Sequence, residues 1–253
     1  FKLGYFKGGF QAFIDALETA VTQRGGQIHL NSPVQTITPT QDNRIVLDVD
    51  GQAREFDACL VTTSPHLLSK MAPSLPADYL GQLLKLKSMG AVVLTLALKR
   101  PLMADSQTYW LNIPATSPDK SENELPFLAL VEHTNYIDRQ HYGGDHIIYC
   151  GDYVNPDHAY MTMSQSELEQ LFTESLNKIN PAFKPEWIRK SWLFRAGYAQ
   201  PVPFLNHSQN IPALQTPVPG LYFASMSQVY PWDRGTNFAV EIGRRAAHLI
   251  NEG

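Results

Sequence analysis

The chain has 253 residues, 43% of them hydrophobic and 17% charged, with 18 Pro, 16 Gly and a net charge of -4; this is the composition of a turn-rich globular protein, not of a disordered or fibrous one. The acidic balance and the lack of any Lys/Arg-rich run exclude an electrostatic footprint for nucleic acid, and the longest apolar stretch, Met89 to Leu98, is about half of the roughly 20 residues a transmembrane helix needs. Cys59 and Cys150 are the only cysteines; they suit buried thiols in a reducing compartment, taken as cytoplasmic with peripheral membrane contact left open, better than a disulfide framework or a metal site.

The chain opens on FKLGYFKGG without a start methionine and reads as the interior of a longer protein. From Gly8, Phe10, Phe13, Ile14, Leu17 and Val21 recur at helical spacing, with Gly25-Gly26 as a stop. Gln27 to Leu30, Val34 to Thr38 and Ile45 to Val49 read as strands, and Asp50-Gly51 as a tight hairpin turn whose return strand ends at Phe56. Asp57 to Thr63 is a continuous apolar run, as in a strand covered on both faces, closed by Ser64-Pro65. Between Leu67 and Asn210 long β-rich runs (Ala91 to Leu98, Phe127 to Glu132, His146 to Tyr153) alternate with polar loops. Within them Ser164-Gln165-Ser166-Glu167 is a capping box opening a helix with Leu168, Leu171, Phe172, Leu176 and Ile179 on one face, closed by Pro181. Gly220 to Ala224 reads as a short buried strand, and Thr236 to Ile250 as a helix with Val240, Gly243, Ala247 and Ile250 along one stripe.

Three separated segments resemble the flavin-dependent superfamily of amine oxidases, protoporphyrinogen oxidases and phytoene desaturases. They are GGFQAFIDALETAVTQRGGQIHLNSPVQTI, FDACLVTTSP and GLYFASMSQVYPWDRGTNFAVEIGRRAAHLI. The resemblance implies FAD as cofactor. It makes the backbone of Val34 the adenine contact, puts Thr62, Thr63 and Ser64 at a strand end facing the dinucleotide, and aims the N–H groups of Gly235, Thr236, Asn237 and Phe238 at the flavin. Tyr230, Trp232 and Arg234, just before that helix, become substrate-facing candidates. The residues alone also admit Val34 and Ile37 as core strand positions, the Thr62–Ser64 hydroxyls as an ordinary strand exit, and Tyr230 and Trp232 as loop packing. One departure is that the strand runs into Ala224-Ser225-Met226-Ser227 where many relatives have Gly-Asp.

No Gly-x-Gly-x-x-Gly, Gly-x-Ser-x-Gly, His-Glu-x-x-His or Cys/His zinc spacing occurs, so the usual phosphate-cradle, hydrolase and metalloprotease signatures fail, and no metal or catalytic residue is assigned. The expected fold is mixed α+β: partial FAD-binding-domain elements at 1–66 and 215–253, and an antiparallel-sheet substrate-binding domain at 67–214. The expected function is the C-terminal, substrate-binding part of a flavin-dependent oxidoreductase acting on a C–N or C–C bond of a small molecule. Its alternatives are a flavoenzyme resembling UDP-galactopyranose mutase and a non-catalytic binding module. The implied partner is an N-terminal dinucleotide-binding segment outside these residues, without which the fragment is expected to be inactive and not to retain FAD.

Overall fold

The computed structural model describes residues 4–103 and 107–252; the first three residues of the opening FKLGYFKGG lie outside them. The fold is the mixed α+β expected, in two compact units.

The first unit takes residues up to 84 together with 212–228 and 236–252. Helix α1 (Gly9–Gln23) follows the apolar periodicity, yet none of its residues is buried, and Phe10, Ile14, Leu17 and Val21 remain exposed. Gln27–Leu30 is not the strand its residues suggest: it is exposed and unpaired, and a strand exists only where a neighbour accepts its hydrogen bonds. Strands β1 (Val34–Pro39), β2 (Ile45–Val49) and β3 (Gln52–Phe56) form an antiparallel sheet. Its hairpin turns on Asp50 and Gly51, at φ 52 and 77, the left-handed pair that matches strand twist.

Strand β4 (Cys59–Val61) pairs in parallel with β10 (Leu221–Phe223), Leu221 opposite Cys59 and Phe223 opposite Val61. Ser64 caps α2 (Pro65–Met71) by accepting from the Leu67 N–H. Ile37 and Ile45 of the small sheet, Val61, Leu68 of α2, Leu83 of α3 (Ala77–Lys85) and Phe223 share one core. Helix α5 (Thr236–Glu252) packs Ala246 and Ile242 beside Leu60 and Ala224. The buried stripe is therefore shifted from the one the small residues suggested: Val240 and Ala247 are exposed, because the contact direction is set by the strand pair under the helix and not by residue size.

The second unit takes 85–211 and 229–235. Its sheet has the order β6-β7-β8-β5-β9, built from β5 (Lys87–Leu98), β6 (Trp110–Asn112), β7 (Ala129–Glu132), β8 (His146–Val154) and β9 (Ile188–Val202), all antiparallel. Alternate residues Val92, Leu94 and Leu96 of β5 and Ile148 and Cys150 of β8 face a core shared with Phe127, Leu168 and Phe172. Phe172 meets Phe127 and Tyr160 at ring separations of 5.2 and 5.4 Å. The capping box forms as read, with α4 covering Gln165–Thr173. The helix ends six residues before Ile179, and Leu176 starts a separate 3-10 turn; both side chains still reach the core.

Strand β9, 15 residues long, has no clear signature in the sequence. Its register against β5 shifts between Met89 and Ala91 and again between Ala97 and Leu98, and each shift breaks the period-two alternation by which a strand is read.

Candidate functional site

In the first unit, β4 and β10 are parallel and end side by side, the Ala224 N–H donating to the Val61 carbonyl at 2.9 Å. Their carboxyl ends, where open α/β sheets bind ligands, are followed by Thr62-Thr63-Ser64 and by Ser225. Thr62 is exposed and Thr63 and Ser64 are half-buried; the Ser64 hydroxyl holds the α2 cap. Ser225 is only 5% exposed, its N–H donates to Gln228 Oε1 at 2.7 Å, and its Oγ is buried with no hydrogen-bond partner. A buried hydroxyl left unsatisfied costs about 1–3 kcal/mol, so a polar group supplied by a ligand there is favourable. Val34, the other sequence candidate in this unit, is partly buried and packs against the core around Ile37. Thr236 and Asn237 are exposed in the first turn of α5, a turn whose N–H groups have no carbonyl partner within the helix.

In the second unit, the sheet face turned away from α4 carries a cavity of about 430 Å³. Cross-strand register places its lining. Gly151 stands opposite Ala129 on one side and Val93 on the other, which keeps the floor low. Tyr149 stands opposite Val131, and Val131 opposite Trp110; Tyr153 stands opposite Ala91. Aromatic rings thus wall a trough floored by Ala91, Ala129 and Gly151 together with the branched Val93 and Val131. Trp110 Nε1 donates to Asn112 Oδ1 at 2.6 Å, which gives the indole N–H of that wall its partner.

Arg234 also lines this cavity. Its Nε donates to the Ala199 carbonyl and its Nη2 to the Tyr153 hydroxyl, and the guanidinium carbon lies 5.3 Å from the Tyr153 ring centroid. Gly235, next to it, is exposed. Of the three substrate-facing candidates the structure brings only Arg234 to the cavity; Tyr230 lies 5.3 Å from the His207 ring and Trp232 is 64% exposed. Phe238, at the start of α5, is half-buried. Trp110, Gly151 and the two tyrosines were not singled out from the sequence, although Tyr149-x-Gly151-x-Tyr153 shows the spacing of one strand face.

Asp152 borders the cavity through its backbone. Its side chain, 1% exposed, follows the alternation to the opposite face, where Lys120 Nζ lies 2.7 Å from Oδ2; the approach direction leaves neither carboxylate oxygen with an aligned hydrogen bond. Burial pushes its carboxyl above the usual range, and Lys120 opposes that shift. A larger groove of about 780 Å³ lies on the α4 side, between that helix and the start of β9. It is open to solvent, and none of the sequence candidates lines it. Among the described residues no cluster of His, Cys, Asp and Glu could hold a metal, and no helix is long and apolar enough to cross a membrane.

The family model described as flavin containing amine oxidoreductase matches residues 2–251. Among solved structures the chain is similar to a protein assigned as protoporphyrinogen oxidase from Exiguobacterium sp. 255-15, with 17% identity and a TM-score of 0.74 over 97% of this chain and 51% of that one. It is similar to an oxidoreductase from Methanosarcina mazei, with 21% identity and a TM-score of 0.63 over 87% and 49%. It is also similar to cyclohexylamine oxidase from Brevibacterium oxydans IH-35A, with 16% identity and a TM-score of 0.65 over 88% and 48%. The chain spans about half the length of these structures, and at such identities the likeness shows the fold. No curated protein matches it by sequence.

Proposed function

The chain belongs to the family of flavin containing amine oxidoreductases, and from that premise we propose that it serves a flavin-dependent oxidoreductase acting on a C–N or C–C bond of a small organic molecule. In this reading the first unit is the adenine- and flavin-side part of an FAD-binding domain and the second unit binds the substrate. The observation that carries it is the closing segment: β10 in parallel register with β4, ending on the buried, unpartnered hydroxyl of Ser225.

The residues present suit FAD. The Ser225 hydroxyl and the strand-end residues Thr62 and Thr63 would meet its polar parts, and Val34 the adenine edge. The first turn of α5, from Gly235, would favour the negative charge that gathers on a reduced flavin. The chemistry that bound flavin supplies is the acceptance of a hydride equivalent. The protein's part is binding and orientation: the trough between Trp110, Tyr149 and Tyr153 excludes water from an apolar substrate, and Arg234, fixed by Ala199 and Tyr153, offers the polar contact that sets its direction. No side chain is assigned as a general base. A glycine-rich phosphate turn is not among these residues, so we expect the 253 residues by themselves to hold FAD weakly.

A mutase of nucleotide sugars would want several arginines around a diphosphate. Arg195 donates to the Tyr160 and Met163 carbonyls and Arg139 faces His146 at 3.3 Å, which leaves Arg234 alone at the trough and favours the oxidoreductase. The test is the visible absorption spectrum of the purified natural protein beside the 253 residues alone, before and after FAD is added. Flavin bands in the natural protein support the proposal. Their absence even with added FAD would leave a non-catalytic binding module as the better account.

A further inference from the structure

We propose that the trough on the open face of the second unit's sheet binds a flat or extended apolar molecule that carries one carboxylate, and that Arg234 is the group that holds this carboxylate; the inference rests on the reading of this trough as the substrate site.

Shape gives the apolar part. Period-two geometry sends Gly151 and its cross-strand neighbours Ala129 and Val93 to the same face, so the floor is lowest at Gly151, with only short aliphatic side chains beside it, while rings stand at its sides. Such a slot accommodates a planar ring system or a hydrocarbon chain, and the indole N–H of its wall is already engaged by Asn112.

Charge gives the carboxylate. Arg234 is the one lining residue whose charged side chain is at the trough, because Asp152 turns to the other face and pairs with Lys120. Its side chain is 27% exposed and is held by the Ala199 carbonyl, the Tyr153 hydroxyl and the Tyr153 ring, so little freedom is lost when a ligand binds. Nη1 is left with a weak partner: Asp233 Oδ2 is 3.7 Å away, beyond hydrogen-bond range, on a side chain that is 72% exposed and therefore well screened by water. A planar guanidinium with N–H groups to offer at the edge of an apolar slot matches a carboxylate, and it disfavours a cation in the same place.

The measurement is calorimetric binding to the purified protein of three probes with one bicyclic body: 2-naphthoate, 2-naphthylmethanol and 2-naphthylmethylamine. The naphthoate is expected to bind about tenfold or more tighter than the alcohol, with the cationic amine weakest. In Arg234→Met that preference should disappear while the alcohol stays within about twofold of its original affinity. Because Arg234 also ties Ala199 and Tyr153, Gly151→Leu gives an independent check. A Cβ at Gly151 meets only Val93 Cγ2 at 3.8 Å and the Val92 carbonyl at 4.0 Å, so the sheet tolerates it, and the rest of the leucine fills the slot and should weaken all three probes. Equal binding of alcohol or amine, no binding of any probe, a preference that survives Arg234→Met, or undiminished binding in Gly151→Leu would each overturn the proposal. These titrations need no turnover. A flavoprotein without the anion preference refutes only this inference, whereas the preference in a protein that takes up no flavin refutes only the proposed function.

Discussion

At the scale of single residues, burial decides what the ionisable side chains next to β7 can do. Glu132 is wholly buried and accepts from the N–H groups of Leu102 and Met103 at 3.1 and 2.6 Å; burial raises its pKa and the two backbone donors pull it back down. His133, 2% exposed, holds the Tyr142 hydroxyl at 2.6 Å, and burial pushes its pKa below the ordinary histidine value. The folded protein thus favours the neutral ring, while the unfolded chain takes up a proton near pH 6.5. Stability from this residue is present above that pH and is lost as pH falls below it. Between about pH 7.5 and 5.5 the urea midpoint of the wild type should fall further than that of His133→Gln. Equal drops would show that the ring titrates alike in both states.

At the scale of elements, the entry to β10 depends on one backbone conformation. Gly220 sits at φ +76, and a Cβ there would come within 2.9 Å of the Asn43 carbonyl and 3.2 Å of the Asp57 carbonyl. Both obstacles are backbone and cannot step aside. Gly220→Ala should therefore destabilise the first unit by about 1–3 kcal/mol, read as a lowered melting temperature with weaker flavin uptake; an unchanged melt would mean that the turn relaxes freely. Helix α1 shows the opposite relation between element and surroundings. Its 3.6-residue periodicity predicts the helix, and the structure contains it, but the pattern cannot say what the face of Phe10, Ile14 and Leu17 should meet, and all three side chains stay exposed. Gln27–Leu30 shows that a short β-like run without a partner forms no strand.

At the scale of the whole molecule, separate cores serve the two units. That of the second is organised on Phe172, which is fully buried between Phe127 and Tyr160. Phe172→Ala removes the ring and leaves a cavity, at a cost of about 3–5 kcal/mol, a large share of the 5–15 kcal/mol typical of a domain. We expect the cooperative unfolding of that unit to shift to much lower denaturant; a shift of under about 1 kcal/mol would mean that the core collapses around the gap.

The sequence by itself determined what local period and local chemistry can specify. It placed the helix after Gly8, the Asp50-Gly51 hairpin, the Ser164–Glu167 capping box, strands within the apolar runs Asp57–Thr63 and Gly220–Ala224, of which Leu221–Phe223 is buried throughout while Cys59 and Leu60 are half-buried, and, through three segment resemblances, the flavin family. It also put Arg234 among the site candidates, though beside Tyr230 and Trp232 on equal terms. Only the tertiary structure decided that β4 and β10 are parallel neighbours, that Ser225 is buried without a partner, and that Trp110, Gly151 and Tyr153 meet Arg234 at one trough. The reason is that side-chain periodicity is written within a segment, whereas register is a relation between segments distant in the chain. Two register shifts in β9, or one residue's difference in which face Asp152 takes, change the site without changing any local signal.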